Sequence, residues 1–202
     1  MIKWLFFDLG STLLDEAERV NERIEATAKI LGLDSTAFKA QLEQAAKTHP
    51  YAISMDLPNK TAWAPWPKRL DPLYPDAFWL LNLLHKKYRL GVIANHGGET
   101  ALKLGIAHFF SSYIASEEVG CKKPDLKIFE MALASSKCSP ENTVMIGDRL
   151  DNDIYPAKKS GMKTIWIRQS FGGLTEPKSK DYDPDYEVNS LREIPDILNK
   201  LK

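Results

Sequence analysis

Ile2-Lys3-Trp4-Leu5-Phe6-Phe7-Asp8-Leu9-Gly10-Ser11-Thr12 is the stretch that decides how this chain is read. A short, mostly apolar run leads into a carboxylate and then into a turn containing Gly10. An apolar run of this length closed by turn-forming residues predicts a buried strand. Asp8 then stands at the strand tip, held rigidly and partly desolvated, which suits a nucleophile or a metal ligand. Taken alone, the same stretch also fits a turn or helix-capping aspartate.

Four further segments predict short buried strands: Leu90-Gly91-Val92-Ile93-Ala94, Tyr113-Ile114-Ala115, Thr143-Val144-Met145-Ile146 and Lys163-Thr164-Ile165-Trp166-Ile167. Helical patterns at 99–107, 125–136 and 153–160 separate them, and Phe129, Ala132, Leu133 and Ser136 share one face of the second. A last strand around Tyr186-Glu187-Val188 precedes a helix from Leu191 to about Leu201. Strands alternating with helices predict an α/β fold, a doubly wound parallel sheet of Rossmann-like type with helices on both faces. Ligands of such sheets collect outside the carboxyl ends of the strands.

The interval between the first two strands breaks this rhythm. Residues 16–33 place Val20, Ile24, Thr27, Ala28 and Leu31 on one helical face, with Gly32 as the stop. Residues 35–48 repeat the pattern with Phe38, Leu42, Ala45 and Ala46. The stretch from Leu57-Pro58 to Pro67 is too rich in Pro and Trp for a long helix, and Pro75 opens a helix over 76–88. Residues 15–74 are therefore expected to form a small helical domain, and 1–14 with 75–202 the α/β core.

Bulk properties narrow the function classes. The chain has 202 residues, 44% of them hydrophobic and 27% charged, with a formal charge of zero. That composition is ordinary for a globular protein and offers no electrostatic argument for nucleic acid or an anionic membrane. No apolar stretch approaches the length needed to span a bilayer. The apolar amino terminus reaches only Phe7, with no basic region or cleavage site, and reads as a strand rather than a signal peptide. Cys121 and Cys138 lie outside any metal-binding spacing and are expected to be reduced thiols in a cytoplasmic protein. Oligomeric state is not legible.

Three more clusters fall at or just after predicted strand ends. Ala94-Asn95-His96-Gly97-Gly98-Glu99 runs from strand into a Gly-containing turn and helix, where backbone N–H groups can hold an oxyanion. His96 is a candidate proton carrier, or simply a solvent-facing loop residue. Cys121-Lys122-Lys123-Pro124-Asp125 offers Lys123, fixed by the following Pro, as a cation beside Asp8 and a bound anion, with Lys122 solvated. Gly147-Asp148-Arg149-Leu150-Asp151-Asn152-Asp153 gathers carboxylates and an amide at a strand end, the ligand type of a hard cation such as Mg²⁺. Asp151 or Asn152 could equally cap the next helix.

In this order and placement the clusters resemble the haloacid dehalogenase superfamily over essentially the whole chain. Its first motif, D-x-D-x-T, reads here Asp8-Leu9-Gly10-Ser11-Thr12. At the place of its second, a strand ending in Ser or Thr and often followed by Asn, stands Ala94-Asn95. The third, Lys before Pro, is Lys123-Pro124, and the GDxxxxD motif is matched by Gly147, Asp148 and Asp153. The 15–74 insertion resembles that family's helical cap.

The resemblance implies a Mg²⁺-dependent phosphohydrolase acting on a small phosphorylated metabolite. Asp8 would form an aspartyl-phosphate, with Lys123 stabilising it. Asp8, the Gly10 carbonyl, Asp148 and Asp153 would surround the metal, and Asn95, His96 and Lys123 would meet the substrate. Arg19, Arg23, Arg69, Trp63 and Trp66 are candidates to line the pocket, or else packing and surface.

Two departures matter. Gly10 replaces the family's acid–base Asp, and Ala94 lacks the hydroxyl that meets phosphate. General acid–base catalysis supplies about 10²–10⁴-fold, so poor leaving groups are expected to turn over slowly unless another group provides the proton. Alternatives are a non-catalytic protein binding a phosphorylated ligand or a partner, and a dehalogenase- or phosphonatase-type hydrolase acting at carbon.

Overall fold

The computed structural model describes residues 1–49, 63–95 and 99–201. Six strands, β1 (Trp4–Phe7), β2 (Arg89–Ala94), β3 (Phe110–Ala115), β4 (Thr143–Gly147), β5 (Lys163–Ile167) and β6 (Tyr186–Val188), form one sheet. Their order is β3-β2-β1-β4-β5-β6, and every neighbouring pair is parallel. Among the described residues, eight α-helices accompany them: α1 (Ala17–Leu31), α2 (Ser35–Ala46), α3 (Ala77–Leu84), α4 (Glu99–Lys103), α5 (Ser116–Val119), α6 (Leu126–Ser136), α7 (Tyr155–Lys159) and α8 (Ile194–Lys200). This is the doubly wound α/β sheet expected from the alternation of segments.

β1 shows why the sheet is covered on both sides. Successive side chains of a strand point to opposite faces. Leu5 and Phe7 join Leu80, Leu81 and Leu84 of α3 and Ile194 and Leu198 of α8 in one apolar cluster. Trp4 and Phe6 enter the other cluster, with Ile128, Phe129 and Ala132 of α6 and Ala157 of α7. Because both faces are dry, the central strands read as continuous apolar runs. Among the described residues no helix is long and apolar enough to cross a membrane.

Element ends differ from expectation where polarity hides them. β3 begins at Phe110 rather than Tyr113, because as the sheet's edge it carries the exposed Ser111 and half-buried Ser112. α4 is shorter than the expected 99–107 and is followed by a separate 3₁₀ turn at Ala107–Phe109. The expected 153–160 helix is a wide turn over Leu150–Ile154 continued by α7.

α1 and α2 form a pair with its own core of Val20, Ile24, Ala28, Phe38, Leu42 and Ala46, closed by Phe171 from the loop after β5. Gly32 ends α1 in the left-handed conformation, φ 67°, and Asp34 caps α2 by accepting from the Ala37 N–H at 2.8 Å. The chain leaves and re-enters the sheet region at adjacent points. Tyr74 N–H donates to the Leu13 carbonyl and Asp15 N–H to the Pro72 carbonyl, at 2.9 and 2.8 Å. The expected irregular Pro/Trp stretch falls partly outside the described residues, and residues 63–67 carry no regular structure.

Thr27 fastens that stretch to α1. Its hydroxyl donates to the Arg23 carbonyl at 2.7 Å and accepts from the Ala64 N–H at 3.1 Å, with no exposure at Thr27. Thr27→Val keeps the shape but leaves a buried N–H without its acceptor, which costs about 1–3 kcal/mol. Faster hydrogen exchange at Ala64 with little change at the β1 amides is the expected signature; unchanged exchange would contradict the role.

Candidate active site

Asp8 follows β1 directly, and its N–H donates to the Ile146 carbonyl of β4 at 2.9 Å. Asp148 follows β4. β1 and β4 are the two strands between which the sheet order reverses, so both carboxylates stand at the mouth of the crevice where such sheets bind ligands. Lys123, from the loop between α5 and α6, reaches the same point. Its ammonium donates to Asp8 Oδ1 and to Asp153 Oδ1, each at 2.6 Å. Carboxylate oxygens of Asp8, Asp148 and Asp153 lie within 4.8 Å of one another, and all three residues are buried.

Neighbouring groups hold each side chain. Asn95, just past β2, grips the Lys123 main chain from both ends of its amide: Oδ1 accepts from Lys123 N–H at 2.7 Å and Nδ2 donates to the Lys123 carbonyl at 3.0 Å. Trp166 Nε1 donates to the Asp148 carbonyl at 2.7 Å, and the Thr12 hydroxyl faces Asp148 Oδ1 at 3.5 Å. Asp153 folds back over Gly147 and accepts from the Arg149 N–H at 3.1 Å. A Cβ at 147 would lie 2.5 Å from that of Asp153, so only glycine admits this crossing. Asp151 takes no part: it pairs with Arg149 at 3.1 and 2.5 Å.

Charge in the site does not balance. Burial alone would lower the pKa of the Lys123 ammonium, but Asp153 and Asp8 outweigh it and hold the group above its ordinary range. Burial pushes Asp148 well up, and the charges of Asp153 and Asp8 push it further. Burial also raises Asp153, against the pull of Lys123. Three clustered carboxylates facing one ammonium leave excess negative charge in a dry pocket, and an all-oxygen donor set of that kind fits a hard dication.

The sequence candidates divide accordingly. Asp8, Lys123, Asp148 and Asp153 are brought together, with Gly10 one turn beyond Asp8. Asn95 joins them, though its amide serves Lys123 rather than standing free. His96 lies outside the described residues. Lys122 is exposed, as expected.

Among the pocket candidates, Arg69 pairs with Glu18 and with Glu22, the latter at 2.8 Å. Arg23 donates to the Ala64 carbonyl at 2.9 Å, under Trp63 and Trp66. Arg19 contacts Trp66, Glu16 and Asp71.

Sequence reasoning passed over Glu16. Its carboxylate accepts from the Ser11 hydroxyl at 2.8 Å and from Arg19, directly over Gly10. The only signal was an acidic residue preceding a helix, which reads as an ordinary first-turn charge.

A sequence profile of the haloacid dehalogenase-like hydrolases matches residues 5–167, which takes in every cluster described above. The chain belongs to the haloacid dehalogenase-like hydrolases. Its similarity to the glyceraldehyde 3-phosphate phosphatase of Methanopyrus kandleri is 38% identity over 133 residues, 63% of this chain and 57% of that protein. The chain thus spans little more than half the length of that relative. A glyceraldehyde 3-phosphate phosphatase of Pyrococcus abyssi is 30% identical over 204 residues, 83% of this chain and 82% of the relative. The HAD phosphatase crystal structure from Thermococcus onnurineus superposes with a TM-score of 0.61 at 24% identity, covering 98% of each chain, a likeness of fold.

The charge imbalance predicts opposite effects on stability. Since the folded state raises the Asp148 pKa, its ionised form at neutral pH opposes folding, and Asp148→Asn should raise the melting temperature in chelator. Lys123→Met strips the buried carboxylates of their partner and should cost about 3–5 kcal/mol. Thermal melts in EDTA check both signs; melting shifts in the same direction would contradict the balance described.

Proposed function

We propose that this haloacid dehalogenase-like hydrolase is a phosphatase acting on a small phosphorylated metabolite, with Asp8 as the nucleophile. The observation that carries the reading is the buried Asp8 carboxylate held 2.6 Å from the Lys123 ammonium at the mouth of the sheet crevice. An in-line attack by an Asp8 oxygen on phosphorus forms an aspartyl-phosphate, which water then hydrolyses. Lys123 orients the carboxylate and offsets charge on the transferring oxygens. Asn95, by gripping the Lys123 main chain, keeps the ammonium in reach of both carboxylates. We assign Lys123 to the phosphate directly and Asn95 through its hold on Lys123, with His96 a candidate on its place in the sequence alone.

Mg²⁺ fits this donor set, with Asp8, the main-chain carbonyl of Gly10 and Asp148 as its ligands and Asp153 beside them. When bound, it offsets the repulsion between an anionic nucleophile and an anionic ester. The helical pair within 15–74 is the proposed cap, closing over the substrate and selecting it. Two of the relatives are glyceraldehyde 3-phosphate phosphatases, which supports a phosphorylated carbon compound of metabolite size as the substrate class.

The protein with Mg²⁺ should release inorganic phosphate from an aryl phosphate, and EDTA should stop it. Asp8→Asn should reduce release to background while leaving the fold intact by circular dichroism. Release that persists in Asp8→Asn would overturn the assignment, and halide release from a 2-haloacid without metal would replace it.

A further inference from the structure

An alkyl phosphate leaves as an alkoxide, which needs a proton as the P–O bond breaks. The buried groups around Asp8 are poorly placed to give one. Lys123 is locked between two carboxylates, Asp153 is held by Lys123 and the Arg149 N–H, and Asp148 belongs to the proposed metal site. Gly10 has no side chain. The space its side chain would enter is nonetheless filled. A Cβ built on Gly10 would lie 2.9 and 3.1 Å from the two carboxylate oxygens of Glu16 and 3.2 Å from its carboxyl carbon. A carboxylate carried by residue 10 and the carboxylate of Glu16 would thus compete for one place.

We propose that Glu16 is the acid–base residue of this enzyme, delivering from the start of α1 the carboxylate that position 10 lacks. This rests on the phosphatase reading above.

Three observations support the placement. Glu16 is largely buried, its side chain 15% exposed. Both its oxygens are held, Oε2 by the Ser11 hydroxyl within the loop after the nucleophile and Oε1 by Arg19. Arg19 is steadied in turn by Asp71 at 2.9 Å and by the face of Trp66.

In the first half-reaction an Asp8 oxygen bonds to phosphorus while the bond to the ester oxygen breaks. The Glu16 carboxyl proton passes to that oxygen, and the alcohol departs. In the second, water attacks the aspartyl-phosphate and gives a proton to the Glu16 carboxylate. The bond between Asp8 and phosphorus breaks, and inorganic phosphate leaves with Asp8 and protonated Glu16 restored. Gly10 is then the residue that makes room for the incoming carboxylate rather than a simple loss.

The experiment compares kcat/KM for an alkyl and an aryl phosphate in the Mg²⁺-loaded protein, and the pre-steady-state release of the aryl alcohol. Glu16→Gln keeps the size and the hydrogen bond from Ser11. It should lower alkyl kcat/KM by about 10²–10⁴-fold and aryl kcat/KM by less than about tenfold. It should also show a burst of aryl alcohol close to one per enzyme, because hydrolysis of the intermediate has lost its base. Glu16→Ala empties the place over residue 10, and adding Gly10→Asp to it should recover alkyl hydrolysis lost in Glu16→Ala alone.

Equal losses on both esters without a burst would mean that Glu16 only braces the loop, and no loss on either would exclude it; both results overturn the inference. The phosphatase reading fails separately, through a wild-type protein inactive on both esters or an Asp8→Asn variant that still turns over. Inactivity of the wild type would overturn the inference with it.

Discussion

The ammonium of Lys123 is the interaction on which the rest of the site depends. A charge buried this completely is tolerated only when partners replace the water it has lost. Asp8 and Asp153 do so at 2.6 Å each, and in doing so they join the tip of β1, the loop before α6 and the turn after β4. Asn95 adds β2 by holding the Lys123 main chain. The bond from this one ammonium to Asp8 alone spans 115 positions along the chain.

The same arrangement leaves the site electrically incomplete. Asp148 stands beside the pair, and its carboxyl is pushed up by burial and by the charges of Asp153 and Asp8, against the pull of Arg149. Stability alone would not assemble carboxylates in this way. Groups that oppose folding persist at positions where a ligand or a reaction uses them. A dication or the phosphate chemistry it assists supplies a use that an apolar core would not.

The helical pair is bound to this centre through its entry point. Paired hydrogen bonds at Leu13–Tyr74 and Asp15–Pro72 fix where α1 begins, and that start places Glu16 against Gly10. Asp8 and the carboxylate above Gly10 thus belong to different elements, linked by the Ser11 hydroxyl. Arg19, Asp71 and Trp66 extend the link into the helical segment. The main chain of Asp8, by contrast, is anchored to β4.

The sequence by itself determined the sheet and the polar groups at the ends of its central strands. Apolar runs such as Trp4–Phe7 and Thr143–Gly147 have few ways to be buried except as central strands, and the polar residues that close them must emerge at the strand ends. Asp8, Lys123, Asp148 and Asp153 were legible for that reason. Edge strand β3 was half hidden because its serines face solvent, and the turn over 150–154 was hidden because its shape follows from bringing Asp153 back across Gly147 while Leu150 and Ile154 pack on Trp166. What tertiary structure alone decided is which groups meet. Asn95 holds Lys123, and Glu16 fills the space over Gly10. Such contacts depend on where the packed helices put side chains from distant or seemingly ordinary positions, and no local pattern of residues encodes that distance.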